Sequence, residues 1–299
     1  MIGRVSGFGP TSGLVVDTTL DPSTEPFLNH HRIDGTAVLP GVMGIEGFAE
    51  VARLLLPDRF VLAVEDVDFR EPVKFYRDQP RTVTISTLIS PDLESRTSDL
   101  IAHCRLTAER TLPGRENPQV TVHFTGQVRL GAAPAQPEPK LPPSSEDSHT
   151  TVEHDAVYAI YFHGPAFQVV EHAWRSERGV AGRYAPDLPP AYQSEDGPVI
   201  ARPRLVELCF QTAGIEELGT TGRMALPMHV DRIVLPAGDL EAENAVAEVQ
   251  AHGEACFDAR VIGPGGEVLV QLEGYRTIAL PDAVGPELLD PLQTALAAI

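Results

Sequence analysis

The sequence predicts an α+β protein made of two halves that share one order of elements. Residues 131–150 hold five prolines and no apolar periodicity, which indicates an extended linker near the middle of the chain. Each half contains one helix-like segment followed by several strand-like segments, an order typical of α+β folds. We therefore expect a first unit over 1–130, a linker over 131–150, a second unit over 151–283 and a C-terminal tail over 284–299.

The helix of the first half is predicted over about residues 41–55. Apolar side chains recur there at steps of three and four residues, which is the period of a helix with one buried face. The small residues Gly44, Gly47 and Ala49 would let this helix lie close against a sheet. Strands are expected after it, near 61–69, 81–90, 98–110 and 119–130.

The helix of the second half is predicted over about residues 203–213. Pro203 suits the first turn of a helix, and Gly214 suits the position just after its end. Strands are expected after it, near 226–236, 245–260 and 267–280. The halves share little direct sequence identity, so the predicted repeat concerns the order of their elements.

Composition limits the classes of function. A chain of 299 residues, 42% of them hydrophobic, can bury a substantial core, and its net charge of −19 opposes binding to nucleic acid or to an anionic membrane. The sequence has no apolar run of about 18 residues and no signal-peptide profile at its start. Cys104, Cys209 and Cys256 are widely separated and lack metal-type spacing. We expect a cytoplasmic protein with buried thiols.

The segment from His31 to Pro40 has the pattern H-x-x-x-G-x-x-x-x-P. Histidine suits proton abstraction near neutral pH, and Gly35 permits a tight turn beside it. Pro40 and Gly41 can open a helix whose free N–H groups stabilise negative charge on an oxygen. This combination predicts removal of a proton next to a carbonyl. Glycine and proline also punctuate ordinary loops, in which case His31 is a surface residue.

The second predicted helix carries a polar pair, Glu207 and Gln211. Residues four apart share a helix face, so these two side chains can bond to each other or converge on one ligand. Apolar neighbours would desolvate the Glu207 carboxyl and raise its pKa, which suits a general acid. The same pair also fits a solvated helix face with an ordinary contact between the two side chains.

A third segment places aromatic residues around a Gly-Pro turn. Tyr161, His163 and Phe167 flank Gly164 and Pro165. Such a packed loop could wall an acyl tunnel. The alternative is a turn that packs against the core, with His163 as a hydrogen-bonded turn residue.

These three motifs, in this order, resemble the dehydratase domains of type I polyketide synthases and related polyunsaturated fatty acid synthases. The resemblance runs from about residue 14 to 280. It implies a double hot-dog fold, in which each of two units wraps an antiparallel sheet around a central helix. It also implies a substrate that arrives as a thioester on the phosphopantetheine of an acyl carrier protein, with neighbouring synthase domains and a possible homodimer. The implied reaction needs no metal and no organic cofactor.

The resemblance also assigns roles by position. His31 matches the family's catalytic base and Glu207 its acid, while Gln211 matches the residue that orients the acid or the substrate hydroxyl. The Gly41 N–H matches the donor to the thioester carbonyl. The other matched positions are expected to bind substrate: Gly35, Pro40, Tyr161, His163, Gly164, Pro165 and Phe167. Two positions depart from the family pattern, since the acid is most often Asp and the residue before Gly-Pro is often Tyr.

The implied reaction removes water from a 3-hydroxyacyl thioester and gives a 2-enoyl thioester. The alternatives are a non-catalytic dehydratase-like domain, a hot-dog enoyl isomerase and a thioesterase. A metal site at His30 and His31 is disfavoured, because no further ligand is suitably spaced.

Carrier proteins of this family are typically acidic, so the charge of this chain opposes their long-range attraction. Tethering within one polypeptide would compensate for a weak interface. A local arginine patch would also help, and the candidates are Arg70, Arg77, Arg175, Arg202 and Arg204.

Overall fold

The computed structural model describes residues 1–93, 97–110, 118–146, 150–192, 199–237 and 242–297. The chain forms two compact units. The first comprises Met1–Ala135 and Pro190–Pro203, and the second comprises Gln136–Pro189 and Arg204–Ile299. The segment 190–203 thus returns to the first unit, which the linear division of the sequence did not anticipate.

The first unit contains an antiparallel sheet in the order β1-β2-β7-β8-β9-β5. Its strands are β1 (Arg4–Gly9), β2 (Gly13–Leu20), β5 (Phe60–Phe69), β7 (Arg81–Pro91), β8 (Leu100–Arg110) and β9 (Gln119–Gly131). The four strands predicted after the helix are present. The strands β1 and β2, which precede the helix, were not predicted from the sequence.

Two helices belong to this unit, the short α1 (Pro26–Asn29) and the central α2 (Gly41–Leu55). The prediction for α2 is confirmed, and its apolar face, including Phe48, is buried against the sheet. A Cβ at Gly44 would lie 2.3 Å from the ring of Phe124, and one at Gly47 would lie 2.8 Å from Ile85. These glycines therefore set how closely α2 approaches the strands.

A second sheet has three strands in the order β3-β4-β6. Its strands are β3 (Arg32–Ile33), β4 (Thr36–Val38) and β6 (Lys74–Phe75). In the sequence, β3 and β4 precede α2, and β6 follows it. Asp34 and Gly35 join β3 to β4 and have φ values of 48° and 74°. Two successive residues with positive φ match the right-handed twist of a tight hairpin.

The second unit contains an antiparallel sheet in the order β13-β16-β15-β14-β12-β11-β10. Its strands are β10 (Thr151–Glu153), β11 (Val170–Ser176), β12 (Gly179–Tyr184), β13 (Arg223–Val234), β14 (Val246–Ala251), β15 (Cys256–Ile262) and β16 (Val268–Ala283). The single strand expected over 245–260 is wrong, because a turn with positive φ at Gly253 and Ala255 separates β14 from β15.

Three helices accompany this sheet: α3 (His154–Tyr158), α4 (Pro203–Thr221) and α5 (Pro286–Leu296). The helix predicted over 203–213 is too short, because Gly214 lies inside α4. A Cβ at Gly214 would meet the Tyr161 hydroxyl at 2.5 Å, so this glycine permits a close approach and does not end the helix. The chain turns instead at Gly222, where φ is 68°.

The predicted linker and the predicted C-terminal tail both contain residues that pack against or bond to the second unit. In the proline-rich stretch, Leu141 donates to the carbonyl of Gly266 and Ser144 to the carboxylate of Glu248. Residues 147–149 of that stretch lie outside the described residues. The predicted C-terminal tail contains α5, which buries Leu289 and Leu292. No helix among the described residues is long and apolar enough to cross a membrane.

Candidate active site

His31 lies at the base of the β3–β4 hairpin and is 8% exposed, so its interpretation as a surface residue is wrong. Its Nδ1 lies 2.8 Å from the carbonyl oxygen of Val38. A carbonyl only accepts, so Nδ1 carries the proton and the lone pair of the neutral ring lies on Nε2. The tautomer required of a base acting through Nε2 is therefore fixed by the main chain.

The hairpin holds this geometry with main-chain bonds. Val38 donates its N–H to the carbonyl of His31 at 3.0 Å, and Leu39 donates to the carbonyl of Val73 at 3.0 Å. The tight turn at Gly35 brings His31 and Val38 together although they are seven residues apart. His31 and Gly35 thus belong to one local structure, as their spacing predicted.

Pro40 precedes the first residue of α2, Gly41, and its carbonyl accepts from Met43 at 3.0 Å. The N–H of Gly41 stands in the first turn, where main-chain N–H groups lack partners within the helix. A Cβ at Gly41 would lie 2.8 Å from the ring of Phe69. Glycine therefore lets this positively polarised helix end sit against the aromatic ring.

Glu207 and Gln211 lie on α4 and are 5% and 3% exposed. The alternative of a solvated helix face is therefore wrong. Gln211 Nε2 donates to Glu207 Oε1 at 2.8 Å. His163 Nε2 lies 3.2 Å from the same oxygen. One oxygen of the carboxyl group is thus held from two directions.

The side-chain amide of Gln211 is oriented by three contacts. Its Nε2 also donates to the carbonyl of Phe167 at 2.8 Å, and its Oε1 accepts from the Tyr158 hydroxyl at 2.7 Å. The Tyr158 oxygen in turn accepts the N–H of Val170 at 2.9 Å. The Tyr158 hydroxyl accepts from Val170, so its own proton goes to the amide oxygen of Gln211. The amide nitrogen of Gln211 must therefore face Glu207 and Phe167.

The aromatic segment predicted to bind substrate packs around this network. Tyr161 is buried and donates to the main-chain carbonyl of Gln211 at 2.8 Å. Gly164 precedes a single 3-10 turn of Pro165, Ala166 and Phe167, and its carbonyl accepts from Phe167. The structure therefore places His163 and Phe167 beside the Glu207–Gln211 pair, while Tyr161 donates a hydrogen bond that ties the loop to α4.

Tyr158 is a site residue that the sequence analysis missed. Burial raises its pKa well above the usual value, and the charge of Glu207 adds to this effect, so the hydroxyl remains a proton donor to Gln211. Tyr158 is the last residue of α3, a helix of only five residues, and Tyr161 follows three residues later. Such a short helix leaves no periodic pattern to reveal its inward face.

Glu46 on α2 is a second buried carboxyl group that the sequence analysis missed. Burial raises its pKa to about 7. The main-chain N–H groups of Ile200 and Ala201 each donate to it at 2.7 Å and partly oppose this rise. The side chain thus fastens residues 200 and 201 to the central helix of the first unit.

Metal coordination and thiol chemistry depend on other side chains than the acid and base candidates. The described residues contain no group of three or more His, Cys, Asp or Glu side chains arranged to hold a metal ion. Cys104, Cys209 and Cys256 are free thiols, but Cys256 is only partly buried, so the expectation of buried thiols is wrong for that residue. Burial raises the pKa of Cys104 to about 12. A thiol that stays protonated is a poor nucleophile.

Comparisons with known protein families give two matches along this chain. A family model described as the polyketide synthase dehydratase N-terminal domain matches residues 132–287. A second, described as the polyketide synthase dehydratase domain, matches residues 2–98. The two matches fall on the segments that carry the predicted acid and the predicted base, respectively.

Curated relatives include the pikromycin polyketide synthase component PikAII of Streptomyces venezuelae, which is 28% identical over 224 residues. Polyketide synthase GfsB of Streptomyces halstedii is 26% identical over 223 residues. Each alignment covers 72% of this chain, but only 6% and 4% of the respective relatives. The chain thus corresponds to a small part of these proteins.

Solved structures with a similar fold include the dehydratase domain from the CurF module of curacin polyketide synthase, with a TM-score of 0.70 and 17% identity. The alignment covers 93% of this chain and 98% of that domain. A trans-AT dehydratase domain from Brevibacillus brevis gives a TM-score of 0.73, 17% identity and coverages of 93% and 97%. The predicted double hot-dog fold is confirmed.

Proposed function

The chain belongs to the polyketide synthase dehydratase family, and we propose that it converts 3-hydroxyacyl thioesters to 2-enoyl thioesters. The substrate would be carried on the phosphopantetheine arm of an acyl carrier protein. The observation that supports this proposal most strongly is the hydrogen-bond chain through Tyr158 and Gln211 to Glu207. Such a chain suits an acid whose proton must be delivered in one direction.

In the proposed reaction, His31 acts as the base. Its Nε2 takes the proton from C2 of the substrate, and the electron pair of that C–H bond moves toward the thioester carbonyl. The Gly41 N–H donates to the carbonyl oxygen as negative charge grows on it. The helix end supports this charge, because the positive end of the macrodipole lies there.

Glu207 acts as the acid in the proposed reaction. Hydroxide is a poor leaving group, so the C3–O bond breaks as Glu207 transfers its proton to the C3 hydroxyl, which departs as water. Gln211 donates to Oε1, so the proposal assigns the transferred proton to Oε2. After the reaction His31 is protonated and Glu207 is ionised, and exchange with water restores both.

The cellular setting is part of the proposal. The named relatives are large synthases, which supports neighbouring synthase domains as partners. The acyl carrier protein and a homodimer are expected by family resemblance. The free thiols support a reducing compartment such as the cytoplasm. The reaction as written needs no metal or organic cofactor, because the acid and the base are both side chains.

The test is incubation of the chain with 3-hydroxyacyl thioesters of both C3 configurations, with mass spectrometry of the acyl products. We expect loss of water from one configuration and, in the reverse direction, hydration of the 2-enoyl thioester. Migration of a double bond without loss of water would identify an isomerase, and release of free thiol a thioesterase. Binding without conversion would identify a non-catalytic domain. Each of these three results would contradict the proposal.

A further inference from the structure

A cavity of the first unit, about 450 Å³ in volume, gathers three cationic side chains. They are Lys74 on β6, Arg81 at the start of β7 and Arg110 at the end of β8. Within the described part of the chain, none of the three has a carboxylate within ion-pair distance. Glu71 is the acidic residue among the described lining residues. The cavity therefore carries an excess of positive charge.

This concentration of positive charge is unusual for a chain with a net charge of −19. Some arginines elsewhere are neutralised locally, as Arg129 is by Glu65 and Asp92, and Arg276 by Asp231. Uncompensated cations that share one cavity repel each other, and this repulsion costs free energy unless an anion enters. The cavity thus has the electrostatic character of an anion site.

Arg81 is held in place from two sides. Its Nη1 donates to the carbonyl of Lys74 at 3.4 Å, and its Nη2 lies 3.5 Å from His123 Nε2. His123 Nδ1 donates to the carbonyl of Glu71 at 2.9 Å, so its Nε2 is an acceptor. Burial lowers the pKa of His123, and the ring is therefore neutral near pH 7. Arg81 is thus oriented by neutral acceptors. Burial and the charge of Arg110 lower the pKa of Arg81, but a guanidinium remains charged near pH 7.

The cavity lies close in the fold to the proposed base. In the register of the small sheet, Lys74 pairs with Val38, the residue whose carbonyl binds the His31 ring. The described lining of the cavity contains neither His31 nor Gly41, so the cavity is separate from the proposed catalytic groups. The phosphate of a substrate arm lies at the end farthest from the thioester, so its site must likewise be separate from those groups.

The arginines suggested by the sequence alone are mostly engaged elsewhere. Arg70 pairs with Asp68, Arg175 pairs with Glu216, and Arg204 donates to the carbonyl of Pro189. The cations of the cavity are therefore better placed to receive an anionic partner.

We propose that Lys74, Arg81 and Arg110 bind the phosphodiester of the phosphopantetheine arm, an inference that rests on the proposed function. Guanidinium groups match the oxygen geometry of a phosphate, and an ammonium adds a compact charge. The bound phosphodiester holds the carrier end of the arm in the first unit. Local attraction at this cavity offsets the overall repulsion between this chain and an acidic carrier.

The test compares two small substrates with the same 3-hydroxyacyl group. One is the thioester of phosphopantetheine, and the other is the thioester of N-acetylcysteamine, which lacks the phosphate. We expect Arg81→Gln and Arg110→Gln each to lower kcat/KM for the phosphopantetheine substrate about tenfold, mainly through KM. The N-acetylcysteamine substrate should change less than about twofold, because it makes no phosphate contact.

The matched control is Arg105→Gln, since Arg105 lines a different cavity of the same unit. It removes the same charge and should leave both substrates unaffected. Equal losses on both substrates, or no loss on either, would overturn the proposal. A loss seen only when the substrate is attached to a carrier protein would also overturn it, because the cations would then contact the protein surface. Thermal unfolding of each variant excludes misfolding.

A second measurement separates this proposal from the proposed function. If the native chain dehydrates neither substrate, the proposed function fails, and the cavity is then tested by titration with phosphopantetheine and with pantetheine. Binding of the phosphorylated compound about tenfold more tightly, with loss of that preference in Arg110→Gln, supports the anion site. Equal affinity for the two compounds overturns it.

Discussion

The two units hold their proposed catalytic groups in opposite ways. In the first unit, one main-chain carbonyl seven residues away fixes the ring of His31. In the second, Glu207 depends on Gln211, which is oriented by Tyr158 from 53 residues away and by Phe167 from 44 residues away. The base is thus a product of local backbone geometry, and the acid is a product of tertiary packing. Substitutions in the two units should therefore differ in what they disturb.

The largest effect among positioning variants is expected for Glu207→Asp. The hydrogen-bond network holds a carboxyl group at the end of a glutamate side chain, and shortening it by one methylene withdraws the acid by more than 1 Å. A misplacement of about that size costs roughly 10²-fold in rate. We expect kcat for dehydration to fall by about this factor, as measured by formation of the 2-enoyl product.

The matched control for this variant is Glu217→Asp. Glu217 lies on the same helix and accepts from the Thr277 hydroxyl at 2.6 Å, outside the acid network. Its shortening should leave kcat within about threefold of the native value, because it does not contact the acid. Native or faster turnover in Glu207→Asp would show that the network suits the family's usual aspartate equally well.

Gly41→Ala is expected to have the next largest effect and probes the local design of the first unit. The added Cβ would contact the Phe69 ring at 2.8 Å and shift the start of α2. We expect roughly a tenfold loss of kcat as the N–H donor moves, with a loss of about 1–3 kcal/mol in the free energy of unfolding. Turnover and chemical denaturation measure the two effects.

The control here is Gly35→Ala, which adds a Cβ with nothing within 4 Å but at a φ of 74°. It should cost about 1 kcal/mol of stability through backbone strain. If Gly41→Ala behaves like this control and retains native kcat, the helix start is not a transition-state donor.

Tyr158→Phe tests the long-range support of the acid. Removing the hydroxyl leaves the Gln211 amide without one of its orienting donors and the Val170 N–H without its acceptor. We expect kcat to fall severalfold to about tenfold with little change in KM, and unfolding to become easier by about 1–3 kcal/mol. A change in KM alone would show that Tyr158 contacts substrate and does not act through Gln211.

Glu46 on α2 and Glu207 on α4 are both buried carboxyl groups, and we expect Glu46 to affect stability and Glu207 to affect turnover. The pKa of Glu46 rises from 4.5 to about 7 on folding. Between these values the folded chain binds more protons than the unfolded chain, so stability falls as the pH rises through this window. The total change is about 3 kcal/mol.

Glu46→Gln should flatten the pH dependence of the unfolding free energy between pH 4.5 and 7, while dehydration continues within about threefold of native. Denaturant titrations across this range and one activity assay measure the two properties. An unchanged slope would contradict the raised pKa, and loss of activity would place Glu46 in the reaction.

The same contrast between local and tertiary structure explains what the sequence predicted. The helix α2 follows from apolar spacing, and the tight turn between β3 and β4 follows from Gly35, because both depend on neighbouring residues. The two short strands that flank this turn were not predicted. Four strands of the first sheet follow from alternation and composition. The burial of Glu207 could not be settled in this way, since a polar pair four residues apart is equally compatible with a solvated face.

The missed features depend on residues distant in sequence. Tyr158 is positioned by its hydrogen bonds with Val170 and Gln211. Gly214 stands within α4 because a larger side chain there would clash with the Tyr161 hydroxyl. Lys74, Arg81 and Arg110 carry no shared motif, and the pairing of β7 with β8 together with the neighbouring β6 brings them to one cavity. Their charges are visible in the sequence, but their lack of carboxylate partners in the described structure is not.

The assignment of His31 as base and Glu207 as acid is tested most directly by His31→Ala and Glu207→Gln. Initial rates would be measured for dehydration of a 3-hydroxyacyl thioester and for hydration of the 2-enoyl product, with circular dichroism to establish folding. We expect each folded variant to lose at least about 10³-fold in both directions, because the same two groups serve the forward and reverse reactions. Native-like turnover by either variant would contradict the assignment.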